Sequence, residues 1–244
     1  MGVYQITYAP QIKEVCLYFD GDCNFRCHGC INKYHPNDIH LNCPSLTKSR
    51  KISLSHEQVI SLLDPLHPQK VIFLGQEPTT DHQFISLAEI LKEKLLTHNI
   101  LLTNGWKYVD NGAIDEVCVS IKAVSKTLFK DFTGRDNPDR VLANFQKYAL
   151  NPLLEIRAES IFIPNYIDYK EIDSISRFIA NVDANIPYRI DAYIPFPMSW
   201  GKDKFRSPTQ QEMKMAKKIA EKHLRQVSIL TSKTKVKYQV ERIF

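Results

Sequence analysis

The stretch from Val15 to Cys30 reads VCLYFDGDCNFRCHGC, an apolar run followed at once by a polar loop that carries three cysteines. Such an apolar run is typical of a parallel strand that is buried on both faces. Five further strand candidates follow along the chain. The expected strands are Val15–Phe19, Lys70–Leu74, Ile100–Thr103, Glu116–Lys122, Leu153–Ile163 and Tyr188–Ile194.

Helical patterns separate these strands. The expected helices begin at Ser55, Phe84, Asn137, Tyr169 and Ser207. Strands that alternate with helices predict an α/β fold, here a partial (β/α)6 TIM-like barrel of parallel strands. We expect a single domain over residues 1–244, with a barrel core over about 12–225 and a C-terminal extension over 226–244 that adds one or two strands. Functional residues of such barrels lie on loops after the carboxyl ends of the strands.

Composition limits the class of protein. The chain is 43% hydrophobic and 24% charged, as is usual for a globular domain. No apolar run approaches the roughly 20 residues that cross a bilayer, and residues 1–5 lack the start of a secretory signal. We therefore expect a cytoplasmic protein without a membrane partner. The net charge of +5 owes much to lysines between Lys214 and Lys237. A solvated helix face explains them, and a nucleic-acid partner stays open.

Three of the six cysteines lie on the loop after the first expected strand. Cys23, Cys27 and Cys30 are separated by three and then two residues. Clustered thiols in a reducing compartment indicate a metal site rather than disulfides. Thiolates are the natural ligands of iron–sulfur clusters, and three of them leave one iron of a cubane open to another ligand. Cys16 and Cys118 lie inside expected strands, where a core position is the simpler interpretation.

The alternative is a structural zinc site that uses Cys43 as its fourth ligand. His28, His35 or His40 would also suit zinc. Zinc sites usually present two closely spaced cysteine pairs, whereas the second half here is a lone cysteine. An iron–sulfur cluster is therefore the favoured interpretation.

Polar motifs also follow the next strands. They are Gly75-Gln76-Glu77-Pro78, Thr103-Asn104-Gly105, Ser120-Ile121-Lys122 and, after the fifth strand, Ile163-Pro164-Asn165. A carboxylate with backbone carbonyls suits an ammonium group, and a lysine at a strand end suits a carboxylate. Taken singly, Gly-x-Glu-Pro and Asn-Gly are more often ordinary turns.

Together these motifs resemble the radical S-adenosylmethionine (SAM) superfamily, in order from about Val15 to Pro195. The resemblance is closest to the organic-radical-activating branch, typified by pyruvate formate-lyase activating enzyme. It implies one [4Fe–4S] cluster on Cys23, Cys27 and Cys30, whose open iron binds the methionine moiety of SAM. The short chain between Cys30 and the first helix leaves no room for a second cluster.

The resemblance also implies roles for residues at the strand ends. The catalytic residues would be Cys23, Cys27, Cys30 and Lys122. The contacts to SAM would be His28, Gly29, Gly75, Gln76, Glu77, Pro78, Asn104, Ser120, Lys122 and Ile163. Three positions depart from the family pattern. Gly29 stands where an aromatic residue contacts adenine, so we expect His28 to supply a ring, while Gln76 replaces a glycine and Ser120 an aspartate.

The implied reaction is reductive cleavage of SAM at the cluster to a 5′-deoxyadenosyl radical. In this branch the radical abstracts hydrogen from a glycine of a glycyl-radical partner enzyme. The resemblance further implies an anaerobic host and a reductant such as flavodoxin or ferredoxin. Two alternatives remain. One is a radical SAM enzyme that acts on a small molecule or an RNA base, and the other is a non-enzymatic zinc or iron–sulfur module, which would leave Gly75–Pro78 and Lys122 without a role.

Overall fold

The fold comes from a computed structural model, which describes residues 2–34, 38, 41, 52–195, 205–231, 233–234 and 237–244. Three residues of the alternative zinc site, Cys43, His35 and His40, lie outside the described residues. No helix within the described ranges is long and apolar enough to cross a membrane.

One sheet organises the described part of the chain. Its strands are β1 Val3–Ala9, β2 Glu14–Phe19, β3 Lys70–Gly75, β4 His98–Thr103, β5 Glu116–Ser120, β6 Glu155–Phe162, β7 Tyr188–Ala192, β8 Val227–Leu230 and β9 Glu241–Arg242. The strand order is β8-β7-β6-β5-β4-β3-β2-β1-β9. Strands β2 to β8 run parallel, whereas β1 is antiparallel to both β2 and β9. The expected α/β fold is confirmed, and β2–β7 are the six strands of the predicted partial barrel.

Helices connect the parallel strands. They are α1 Ile31–Tyr34, α2 His56–Leu63, α3 Phe84–Leu95, α4 Lys126–Thr133, α5 Pro138–Ala149, α6 Tyr169–Asp183 and α7 Gln210–Ala220. The Ser55 capping box predicted for α2 is present. The predicted start of the last helix at Ser207 was wrong, because Thr209 forms the capping box of α7 with Glu212. Glu212 is held there by an ion pair with Arg206 as well, which favours the later start.

The hydrophobic core lies between one face of the sheet and helices α2–α7. Phe73 on β3 and Phe84 on α3 are fully buried, with ring centroids 5.2 Å apart and an edge-to-face angle of 72°. Phe19, at the end of β2, meets Phe84 in the same way at 6.0 Å. Truncating a buried phenylalanine costs roughly 3–5 kcal/mol, so this cluster fixes the end of β2, from which the cysteine loop departs.

The other face of the sheet is polar on β5–β7. Register places Ser120 beside Glu159, and Glu159 beside Arg189. Because side chains alternate along a strand, these residues point away from the face on which Val117, Val119 and Tyr188 enter the core. The carboxyl ends of the parallel strands meet at one edge of this polar face.

Candidate active site

The cysteine loop follows β2 and is fixed by backbone contacts to the end of α4. Arg26 N donates to the Thr133 carbonyl at 2.8 Å, and His28 N donates to the Phe132 carbonyl at 2.9 Å. Phe25 is buried, with its ring edge-to-face against both Trp106 and Phe129 at 5.6 Å. Helix α4, which the sequence patterns did not predict, is therefore the template on which the loop is shaped.

The three cysteines of the loop are partly buried and none is in a disulfide. Their sulfur atoms do not all lie within 4.8 Å of one another. Among the described residues, the one group of three potential metal ligands that lies this close is His98, Glu116 and Glu155. A tetrahedral zinc ion with bonds of about 2.3 Å would hold its sulfur ligands roughly 3.8 Å apart. A single zinc ion bound by all three cysteines would therefore require their sulfurs to lie closer together.

The electrostatics of Cys23 also fit a cationic ligand. Burial raises the pKa of the Cys23 thiol, and the nearby Glu77 carboxylate raises it further. The Phe25 amide and the Lys122 cation lower the same pKa. Because a metal ligand must be a thiolate, bound iron would supply the positive charge that this buried sulfur lacks.

The Gly75–Pro78 motif is tied to the end of β2. Gly75 has a φ of 116°, and a Cβ there would lie 2.5 Å from Phe19 N and 2.6 Å from Phe19 O. Gln76 N donates to the Phe19 carbonyl at 3.1 Å, and Asn32 Nδ2 donates to the Gly75 carbonyl. Glycine is therefore the one residue that lets the two strand ends lie this close.

Glu77 is directed into the protein. Its side chain is buried, with the residue 1% exposed, and burial raises its pKa. The carboxylate accepts hydrogen bonds from Thr79 N and Thr79 Oγ1 (3.3 and 2.7 Å), from Thr103 Oγ1 (2.7 Å) and from Asn104 N (2.8 Å). Glu77 thus joins the ends of β3 and β4, and its contact with SAM stays a prediction.

Asn104 extends from the end of β4 to the cysteine loop. Its Nδ2 donates to Asn24 Oδ1 at 2.6 Å and lies 3.7 Å from Cys23 Sγ. Asn24 Nδ2 is buried and has no acceptor among the described residues. A buried donor of this kind fits an acceptor that a cofactor would supply. Asn24 was missed from the sequence, because only the fold brings it to Asn104.

Lys122 lies between the cysteine loop and the polar face of the sheet. Its Nζ is 2.5 Å from Ser120 Oγ, and its charge lowers the pKa of both Cys23 and Asp191. Ser120 on β5 and Cys23 on the loop after β2, both predicted site residues, therefore share this lysine as a neighbour.

Deeper on the polar face is a network that the sequence did not indicate. Arg189 Nη2 lies 2.7 Å from Glu159 Oε2, while its Nε and Nη2 lie 2.7 and 3.0 Å from the two oxygens of Asp191. Burial and the Glu159 charge raise the pKa of Asp191 to about 6, against the opposing effect of Arg189. Strand register alone brings these three residues together, so no spacing in the sequence could have found them.

Three further predicted SAM contacts, His28, Gly29 and Ile163, differ in burial. His28 is exposed, whereas Ile163 is fully buried in a small cluster with Phe132, Ile167 and Tyr193. A Cβ on Gly29, which has a φ of 79°, would lie 2.7 Å from the Tyr193 ring. The aromatic ring against Gly29 is therefore that of Tyr193, and the predicted contact of His28 with adenine stays a prediction.

Two curated proteins resemble this chain in sequence. A putative glycyl-radical enzyme activating enzyme of Methanocaldococcus jannaschii is 26% identical over 84% of this chain and 76% of its own length. A probable GTP 3′,8-cyclase of Sulfurisphaera tokodaii is 24% identical over 97% of this chain and 72% of its own length.

The fold has solved counterparts. Streptococcus suis SuiB, in a crystal structure with the precursor peptide SuiA, superposes with a TM-score of 0.63 at 13% identity. The match covers 87% of this chain and 47% of SuiB, so the chain spans about half of that protein. The sequence profile of the Radical SAM superfamily matches residues 18–153, more than half of the 244 residues. The chain belongs to the radical SAM superfamily.

Proposed function

We propose that this radical SAM enzyme forms a radical on a glycine of a partner protein, with its [4Fe–4S] cluster held by Cys23, Cys27 and Cys30. The observation that carries the proposal is the likeness, over 84% of the chain, to a putative glycyl-radical enzyme activating enzyme. The three cysteines on one loop and the buried donor on Asn24 support the cluster.

The chain's own residues would bind and orient the cofactors. Cys23, Cys27 and Cys30 would hold a cluster that, once reduced by an external one-electron donor, would supply the electron for cleavage of the S–C5′ bond of SAM into methionine and a 5′-deoxyadenosyl radical, which would take a hydrogen atom from the substrate. Lys122 offers a cation to the carboxylate of the methionine moiety. The tight turn at Gly75 exposes backbone at the end of β3, where an ammonium group finds carbonyl acceptors.

A second candidate is a radical SAM enzyme that acts on a nucleotide. It is favoured by the likeness to a probable GTP 3′,8-cyclase over 97% of the chain. The charges of the polar face oppose it. Arg189 is paired with Glu159 and Asp191, and Arg157 is paired with Glu116 at 2.7 Å. Because these two arginines are already neutralised, they offer little to a triphosphate.

The first experiment tests the cofactors. After anaerobic reconstitution, we expect about four irons and four sulfides per chain and formation of 5′-deoxyadenosine from SAM with a reductant. One equivalent of zinc with no SAM cleavage would reject the proposal and restore the zinc alternative.

The second experiment tests the substrate. The loaded enzyme is incubated with SAM, reductant and a glycyl-radical enzyme of the same genome labelled with deuterium at glycine α-carbons. Transfer of deuterium into 5′-deoxyadenosine and a protein-bound radical in the EPR spectrum are expected. Deuterium transfer from labelled GTP, with none from the labelled protein, would instead select the nucleotide reaction.

A further inference from the structure

Two donors reach the sulfur of Cys23, and they differ in origin. Phe25 N lies 3.4 Å away, two residues along the same loop. Asn104 Nδ2 lies 3.7 Å away, 81 residues later in the chain. The first donor is a backbone group that almost any residue would supply, whereas the second requires an asparagine at the end of β4.

The amide of Asn104 has one orientation. Trp106 N donates to Asn104 Oδ1 at 3.0 Å, so the nitrogen of the amide faces the cysteine loop. One of its hydrogens is directed to Asn24 Oδ1 at 2.6 Å, which leaves the other for Cys23 Sγ. Reversing the amide would set its oxygen against Asn24 Oδ1 and its nitrogen against the Trp106 N–H.

The segment that carries Asn104 is held from several sides. Asn104 N donates to Glu77 Oε2 at 2.8 Å, and Asn104 itself is 7% exposed. Asn144 Nδ2, on α5, donates to the Gly105 carbonyl at 2.9 Å. The Arg140 guanidinium lies 4.8 Å from the centroid of the Trp106 ring. The protein itself therefore holds the donor at Cys23.

Hydrogen bonds to the sulfur ligands of an iron–sulfur cluster stabilise its more negative, reduced state and raise its reduction potential. We infer that Asn104 is a positioning residue that raises the reduction potential of the cluster by donating to the Cys23 thiolate. This role rests on the proposed cluster at Cys23 and needs neither the glycine substrate nor SAM.

The test is a potentiometric EPR titration of the anaerobically reconstituted full chain without SAM. Asn104→Ala removes the donor, and Asn104→Asp keeps an acceptor for Trp106 N while replacing the donor by a negative charge. Asn144→Ala is the matched control, because it removes a buried asparagine that holds the same segment without reaching Cys23. At a fixed potential we expect the ratio of reduced to oxidised cluster to fall about threefold for Asn104→Ala, the loss of one modest hydrogen bond. Asn104→Asp should lower it further, and the control should match the wild type.

A potential for Asn104→Ala equal to that of the control and the wild type would overturn the role of Asn104 alone, even if the added charge of Asn104→Asp lowered the potential. A wild-type chain that binds no iron would overturn the proposed cluster as well, so the two failures are distinguishable. Loss of iron binding in both Asn104 variants, with an unchanged unfolding temperature, would make Asn104 an assembly residue and would also overturn its redox role.

Discussion

Gly75→Ala should destabilise the chain through atoms that cannot move aside. The added Cβ would lie 2.5 and 2.6 Å from backbone atoms of Phe19, on a neighbouring strand of the sheet. The φ of 116° is itself strained for alanine, at a cost of roughly 1–3 kcal/mol. Overpacking adds a further cost of about 1–3 kcal/mol. We therefore expect a loss of roughly 2–6 kcal/mol in the free energy of unfolding.

The measurement is urea unfolding of the iron-free chain, with Gly112→Ala as the matched control. Gly112 has nothing within 4 Å of an added Cβ, so its substitution should change stability by less than about 1 kcal/mol. For a chain of this length, 1 kcal/mol corresponds to about 2–4 °C in the unfolding temperature. If Gly75→Ala fell within about 1 kcal/mol of the Gly112 variant, the close approach of β2 and β3 would be refuted.

Three further variants test the site. Lys122→Met should weaken SAM binding by the reconstituted enzyme about tenfold or more, the contribution of one charge-assisted hydrogen bond. Equilibrium dialysis measures this, with Lys222→Met as control, and equal affinities would exclude Lys122 as a SAM contact. In Glu77→Gln, an amide N–H would face donors that now bond to the carboxylate. In urea unfolding we expect it to lower the free energy of unfolding by roughly 2 kcal/mol, with almost no change for the exposed control Glu93→Gln. The Asp191 carboxyl should titrate near pH 6 in infrared difference spectra that Asp191→Asn abolishes. Since its pKa rises from 3.8 to about 6 on folding, its stabilising contribution is complete below pH 3.8 and is lost as the pH rises through 6.

The six central strands could be predicted because β2–β5 are largely apolar runs and β6 and β7 alternate apolar with polar residues, all facing one core. Strand β1 was missed, since Gln5 and Thr7 interrupt its apolar pattern and are nevertheless buried. Thr7 Oγ1 donates to Asp38 Oδ2 at 2.9 Å, and Asp38 N donates to Gln5 Oε1 at 3.0 Å. A partner more than 30 residues away makes these polar positions acceptable in a buried strand, and no local pattern reveals it.

Helix α4 was missed for a similar reason. Its N-cap, Ser125, makes no side-chain capping bond. The two residues before the first turn are held instead by Glu171, whose carboxylate accepts from Val124 N at 2.6 Å and Ser125 N at 3.0 Å. The helix thus begins where another helix, α6, supplies the acceptor. Capping signals in the sequence report on near neighbours only, so this start could not be read from it.

The site residues, too, differ in whether local sequence or distant partners determine their role. The motif residues Gly75, Asn104 and Lys122 could be placed because each follows a strand, and parallel strands end at one edge. What the motifs do there depends on partners that the fold supplies. Glu77 was expected to contact SAM, but its carboxylate accepts hydrogen bonds from Thr103 and Asn104 at the end of β4. Asn104 was expected to contact SAM as well, and its amide lies beside Cys23 Sγ.

The cysteine loop owes its shape mainly to backbone atoms and one buried ring. Arg26 and His28 contribute backbone amides to the end of α4, and Phe25 fills the space between Trp106 and Phe129. The side chains of Arg26 and His28 are exposed and take no part in holding the loop. Position 29 is constrained instead, because its φ of 79° and the Tyr193 ring, which occupies the space a side chain would need, both require glycine. The proposed ligands Cys23, Cys27 and Cys30 are therefore placed by backbone contacts and one buried ring, and only the side chains of Arg26 and His28 on this loop are free to vary without altering its path.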